Sequence, residues 1–138
     1  MRKSHFRFLA PTLAAGLLLL AGCAGLGIGP PPPPIVISIK VDSDAADVSV
    51  PTTGSKAYRH AVTYLEYQKW PEAIAALQSV LVAAPEDWQA RYALAVAQEA
   101  SGDFANAKTN YIEANRIKGG GADLACKAGV KRIDLRGK

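Results

Sequence analysis

The chain has 138 residues with a formal charge of +4, and just under half of its residues are hydrophobic. That length allows one small domain plus a tether, and two cysteines exclude a disulfide framework. Taking Arg2, Lys3 and Arg7 of the N-terminal segment from the sixteen basic residues leaves thirteen against twelve acidic ones, so the remainder is near neutral and offers no general footprint for nucleic acid or anionic lipid.

Arg2, Lys3, His5 and Arg7 form a basic head, and Phe8 to Leu20 follows as an apolar stretch of about 13 residues. It is too short to span a bilayer and reads as an export signal. Leu20-Ala21-Gly22-Cys23 closes it. This tetrapeptide resembles the lipobox of bacterial lipoproteins. The resemblance implies thioether attachment of diacylglycerol to Cys23, cleavage after Gly22 and acylation of the new amino terminus. Residues 1–22 are then a signal peptide. One acyl chain binds a membrane reversibly, whereas several on one cysteine hold it almost permanently. Ala24 follows the cysteine, not the aspartate that resembles an inner-membrane retention signal. The expected location is therefore the outer membrane of a Gram-negative cell, facing the periplasm. With Cys23 lipidated, Cys126 has no disulfide partner within the chain and reads as a small buried hydrophobe.

Residues 23–55 form the lipidated start and tether. A glycine-rich opening runs into Pro30 to Pro34, which predicts a stiff polyproline II spacer rising about 3.1 Å per residue. Ile35, Ile37, Ile39 and Val41 alternate with Val36, Ser38 and Lys40, a strand pattern. Asp42 to Ala46 supplies turn residues, and Asp47 to Pro51 returns as a short second strand. An isolated hairpin is marginal in water, so this one docks on the helical domain, pairs with a partner or stays frayed. Asp42, Asp44 and Asp47 lack the glycine and terminal glutamate of a calcium loop and read as a solvated turn.

From Lys56 the period becomes helical. Ala57, Ala61, Tyr64, Leu65 and Gln68 outline a first helix. Pro71 opens a second, which carries Ala73, Ile74, Leu77, Val80 and Leu81 inward and ends before Pro85. Asp87 caps a third through Ala100, closed by Gly102 in the left-handed conformation. Asp103 caps a fourth to about Ile117, and Gly119 to Gly121 breaks it. A fifth spans about Ala122 to Leu135. Lys127, Lys131, Arg132, Arg136 and Lys138 cluster at the C-terminus and read as a solvated face.

An offset of 34 residues superposes these patterns. Tyr58 falls on Tyr92, Ala61 on Ala95, Val62 on Val96, Trp70 on Phe104, Ala73 on Ala107, Leu77 on Tyr111 and Val80 on Ala114. That period resembles the tetratricopeptide repeat. It implies an all-α array of helical hairpins over residues 56–138, with two repeats, a capping helix and the tether with its short β-hairpin in front. His60 stands where the family has leucine, Gly119 where a loop proline is expected, and Gln68 where the first repeat needs a turn glycine. In the family the first helix of each repeat lines a groove. Carried over residue by residue, the lining is Tyr58, Val62 and Leu65, then Tyr92, Val96 and Glu99, then Cys126 and Val130. Such an apolar, aromatic stripe suits an inserted peptide segment. The alternative is a stripe covered by the hairpin or by a neighbouring copy.

No catalytic motif is present: no histidine–cysteine cluster with metal spacing, no phosphate-binding loop and no nucleophile elbow. The chain is expected to be no enzyme and to use no metal or cofactor. Lipoproteins with such repeats resemble pilotins and Tad-type pilus assembly proteins. The expected role is a membrane-anchored adaptor for a protein or peptide partner, with no nucleic acid. The alternative role is a self-assembling envelope protein that forms a homo-oligomer. A small-ligand module finds no polar constellation in the sequence.

Overall fold

The computed structural model describes residues 35–41, 47–118 and 123–136. The signal segment, Cys23, the proline run, the turn at 42–46 and the glycines at 119–121 lie outside those residues.

Two strands come first, β1 (Val36–Ile39) and β2 (Val48–Pro51), paired antiparallel with Ile37 opposite Val50 and Ile39 opposite Val48. Alternation puts these four on one face, where Ile39, Val48 and Val50 are buried and Ile37 is partly so. Val36, Ser38 and Ser49 point outward and are exposed. Thr52 closes the open end: its amide and its Oγ1 both donate to the Ile35 carbonyl, at 2.9 and 2.7 Å. Of the three fates open to the hairpin, the structure takes docking. Burial of one β-branched face on the helices supplies what two strands alone lack.

Five helices follow: α1 (Lys56–Glu66), α2 (Trp70–Ala83), α3 (Trp88–Ser101), α4 (Phe104–Lys118) and α5 (Asp123–Arg136). The starts of α1 to α4 and the ends of α1 and α3 have local reasons. The Ser55 hydroxyl accepts from the Tyr58 amide at 3.1 Å, and Asp87 Oδ1 accepts from the Gln89 and Ala90 amides at 3.0 Å. Asp103 does the same for Asn106 at 3.3 Å. Pro71 sits in the first turn of α2, where a missing N–H costs nothing. Gly102 ends α3 at φ 89°. Gln68, 34 residues earlier, adopts φ 57° in the turn that ends α1 two residues sooner than its apolar pattern suggests.

Each helix packs on the next, and α3 also meets α1, α5 and β2. Its alanines at 90, 93, 95 and 97 are all fully buried, and such small side chains let neighbours approach from every side. The result is a mostly helical domain of five packed helices preceded by a two-stranded antiparallel hairpin. Six of the superposed pairs, from Tyr58/Tyr92 to Val80/Ala114, are buried in both members. Trp70 and Phe104 are the exception, being half-buried and exposed. Among the described residues no helix is long and apolar enough to cross a membrane.

Candidate partner-binding face

The helices α1, α3 and α5 present the residues expected to line a groove, and the structure does bring them together. It does not leave them open. Tyr58, Val62, Leu65, Tyr92, Val96, Glu99 and Cys126 are all buried, and Val130 is half-buried. On α1 and α3 the hairpin contributes that cover, since β1 lies on α1 and β2 on α3.

The register shows how. Val48, Val50 and Thr52 direct their backbone groups to β1, so Ser49 and Pro51 direct theirs away from it. Both outward carbonyls are met by tyrosines. The Tyr58 hydroxyl donates to Pro51 O at 2.7 Å, and the Tyr92 hydroxyl donates to Ser49 O at 3.3 Å. Two residues of the expected stripe thus hold an extended strand by its backbone, and that strand is the chain's own. Burial pushes the Tyr92 hydroxyl up to about 12, with Cys126 adding to it, and pushes Tyr58 further still. Both are neutral donors at any physiological pH.

Glu99 departs furthest from a groove-lining role. Its side chain is fully buried and faces α4 and α5. The Tyr111 hydroxyl donates to Glu99 Oε2 at 2.7 Å, and Arg132 grips both oxygens, at 2.9 Å from Nε and 2.8 Å from Nη2. Arg136 stands 3.9 Å away. Burial works against the Arg132 charge, but the hydrogen bond to Glu99 and the surrounding groups outweigh it and its acidity falls. Two of the C-terminal basic residues read as a solvated face are therefore structural. Lone basic positions gave no signal for this, because the partner lies 33 residues away.

What remains open beside the strand is a cleft of about 350 Å³ between Asp47, Val48 and Ser49 on one side and Ala125, Ala128 and Arg132 of α5 on the other, with Tyr92 in its wall. His60 is exposed and edge-on to Tyr64 at 5.0 Å. No group of three or more histidine, cysteine, aspartate or glutamate side chains converges among the described residues.

A second open recess was not legible as a site. Gln78 of α2, Arg91 and Gln98 of α3, and Asn106 and Asn110 of α4 converge from three helices. Its signal in the sequence is a mismatch between repeats, since Ala57 and Ala76 stand where Arg91 and Asn110 follow. Comparison with protein-family models, with curated proteins and with solved structures gives no significant match.

Proposed function

We propose that this chain is a non-enzymatic, tetratricopeptide-like adaptor lipoprotein. Lipid on Cys23 fixes it to the outer membrane, and its helical face holds an extended protein or peptide partner on the periplasmic side. Pilus or secretion-system assembly, or other envelope biogenesis, is the setting this suits. One observation carries the reading: beside β2, whose carbonyls occupy Tyr58 and Tyr92 of a face built to hold an extended strand, a cleft of about 350 Å³ stays open towards α5. Contacts of that kind ask for an extended chain and little for its side chains. The hairpin has a second consequence. It joins the tether to the helices directly, so a load on the lipid anchor reaches the folded domain through paired strands.

A partner enters beside β2, in the cleft walled by Ala125 and Ala128. Ala128 is exposed, so Ala128→Trp fills the cleft without disturbing the core. Crosslinking from position 125 in intact cells should capture a partner protein from the wild type and not from that variant. Equal capture from both would defeat the reading, and a mature chain whose mass shows no acyl groups would remove the anchor.

Self-assembly is favoured by one separate observation. Among the described residues β1 packs chiefly on β2 and α1, and Ile35 and Val36 beside its outer edge are 72% and 44% exposed. Uncovered strand edges pair with one another. Val36→Lys should then turn an oligomer into a monomer in sedimentation; a wild type that is monomeric at every concentration would exclude it.

A further inference from the structure

Among the described residues no helix precedes α1, so the start of the array lacks the cover that α5 gives its far end. An open recess of about 450 Å³ lies there, towards the start of α1 and the end of α2. Ala57, Ala76, Val80 and Ala83 line it, with Ser55 and His60 among its polar side chains. The second repeat shows what these positions receive when a helix stands before them. Thirty-four residues on, Ala57, His60 and Ala76 become Arg91, Leu94 and Asn110, and Leu81 and Val82 of α2 line a recess together with them. Leu94 is buried there, whereas His60 is exposed. A stacked array needs a cover at each end, because an open stacking face leaves apolar surface in water.

The chain's own tether is delivered to this place. Because β1 is antiparallel to β2, the chain enters β1 at the end of the hairpin where Thr52 to Ser55 lead into α1. The Ile35 carbonyl is pinned there by the Thr52 amide at 2.9 Å, three residues before Ser55 of the recess. Pro32, Pro33 and Pro34, outside the described residues, come immediately before Ile35.

We propose that Pro32 to Pro34 occupy this recess and cap the first repeat, so that the end of the proline run belongs to the fold. Three residues make one turn of polyproline II, about 9 Å long, and that conformation is set before it docks. The walls suit proline in particular. Proline has no N–H, so a covered proline segment needs donors for its carbonyls and no acceptors. Alanine and valine surfaces take the rings, and the Ser55 hydroxyl and the His60 ring supply donors. Ser55 Oγ accepts from the Tyr58 amide at 3.1 Å and keeps its own proton to donate. The Ser79 hydroxyl, on the same recess, already donates to Ala75 O at 3.0 Å. Any other segment would add an amide per residue to be satisfied in a recess lined chiefly by alanine and valine. His60, which stands where the repeat has leucine, thereby gains a role. The inference uses neither the lipid nor a partner protein and stands apart from the adaptor reading.

The test uses the chain from position 23 onward with Cys23→Ser, so that the buried Cys126 is the only other thiol. Pro33→Cys combined with Ala83→Cys should form a disulfide at least about tenfold faster than Pro33→Cys combined with Val82→Cys. Ala83 and Val82 are both exposed, but Val82 lines the other recess. Serine in place of all three prolines should shift the methyl resonances of Ala57, Ala76 and Ala83 and lower the melting temperature by about 4 °C or more. Ala83→Trp fills the recess, and in that background the serine replacement should change neither readout. Equal disulfide rates, or methyl resonances and melting temperature unmoved by serine, would overturn the proposal and leave the run a spacer. Wild-type methyl shifts that fade on dilution would overturn it too, by placing a second copy in the recess.

Discussion

The joint that follows the first helical pair and the joint that follows the second solve one packing problem in two ways. At the first, Leu77 and Ala95 are both fully buried. Thirty-four residues on, the same two positions carry Tyr111 and Gly129, so a larger side chain is matched by a smaller one. The fit is tight, because a Cβ at Gly129 would lie 2.5 Å from the Tyr111 ring. Volume is thereby conserved, but chemistry is not. A tyrosine hydroxyl placed in the interior needs an acceptor, which is Glu99, and a buried carboxylate needs a cation, which is Arg132. Burial, and then Glu99 beside it, holds the Tyr111 hydroxyl protonated far above its ordinary range. One enlarged ring thus brings with it a chain of polar groups that fastens α5, whereas the leucine joint needs none.

The largest expected effect breaks that chain at its charged end. Arg132→Met leaves Glu99 buried with Arg136 at 3.9 Å as its nearest remaining cation, and should cost about 3 kcal/mol in denaturant unfolding. The double change Glu99→Gln with Arg132→Met removes the charge but keeps an acceptor for Tyr111, and should recover at least half of the loss. No recovery would mean that Arg132 acts through packing of its stem rather than through its charge.

Next in size is Gly129→Ala, whose sign tests the volume exchange. Within a helix the change ordinarily stabilises by about 0.5–1 kcal/mol. Here the added methyl meets the Tyr111 ring, and overpacking should reverse the sign and cost about 1–3 kcal/mol. In a Tyr111→Leu background, which copies Leu77, the same change should become stabilising. A cost that persists in that background would show the two positions to be uncoupled.

The hairpin joint is held by neutral groups and should respond to pH in a different window. Tyr58→Phe strands the Pro51 carbonyl and should cost about 1–2 kcal/mol, and Tyr92→Phe, with its longer 3.3 Å bond, should cost less. The Tyr92 hydroxyl is raised from 10 to about 12 by burial, so its contribution is complete below pH 10 and is lost as pH climbs towards 12. Tyrosinate absorbance from the buried rings should therefore appear together with loss of helical signal. Buried tyrosines that ionise while the helices stay intact would contradict the burial.

Much of this architecture was legible because it is local. Capping at Asp87 and Asp103, the proline at the start of α2 and the alternation of the two strands each depend on a few adjacent residues. The repeat offset picked out the small positions Ala61, Ala73, Ala95 and Ala107 and the large positions Leu77 and Tyr111, all buried, but it put Tyr58 and Tyr92 in an open groove where the structure buries them. It did not show that the tyrosines face the chain's own strand, since nothing in the periodicity of α1 or α3 records what the tether does. Glu99, Arg132 and the Arg91–Gln98–Asn110 cluster were hidden for a related reason. Their partners come from different helices, and a charged or amide side chain on a helix reads as solvated until a neighbour is placed against it.

The smallest expected effect concerns the turn inside each helical pair, where the two repeats differ by one backbone preference. Gly102 sits at φ 89° and Gln68, its counterpart, at φ 57°. Left-handed backbone is cheap for glycine and costs about 1 kcal/mol or more for a residue with a Cβ. Gln68 is exposed and its side chain holds nothing in the turn, whose backbone is fixed by the Gln68 amide donating to Leu65 O at 3.0 Å and the Lys69 amide donating to Tyr64 O at 2.9 Å. Gln68→Gly keeps both bonds and removes the strain, at the expense of a more flexible unfolded chain. A net gain of about 0.5–1 kcal/mol should follow, read as a higher melting temperature. Gly102→Ala should lose a similar amount, even though its Cβ would meet open space, because the penalty lies in the backbone and not in contact. A Gly102→Ala variant as stable as the wild type would show that the turn relaxes to another conformation, and the Gln68 gain would then vanish with it.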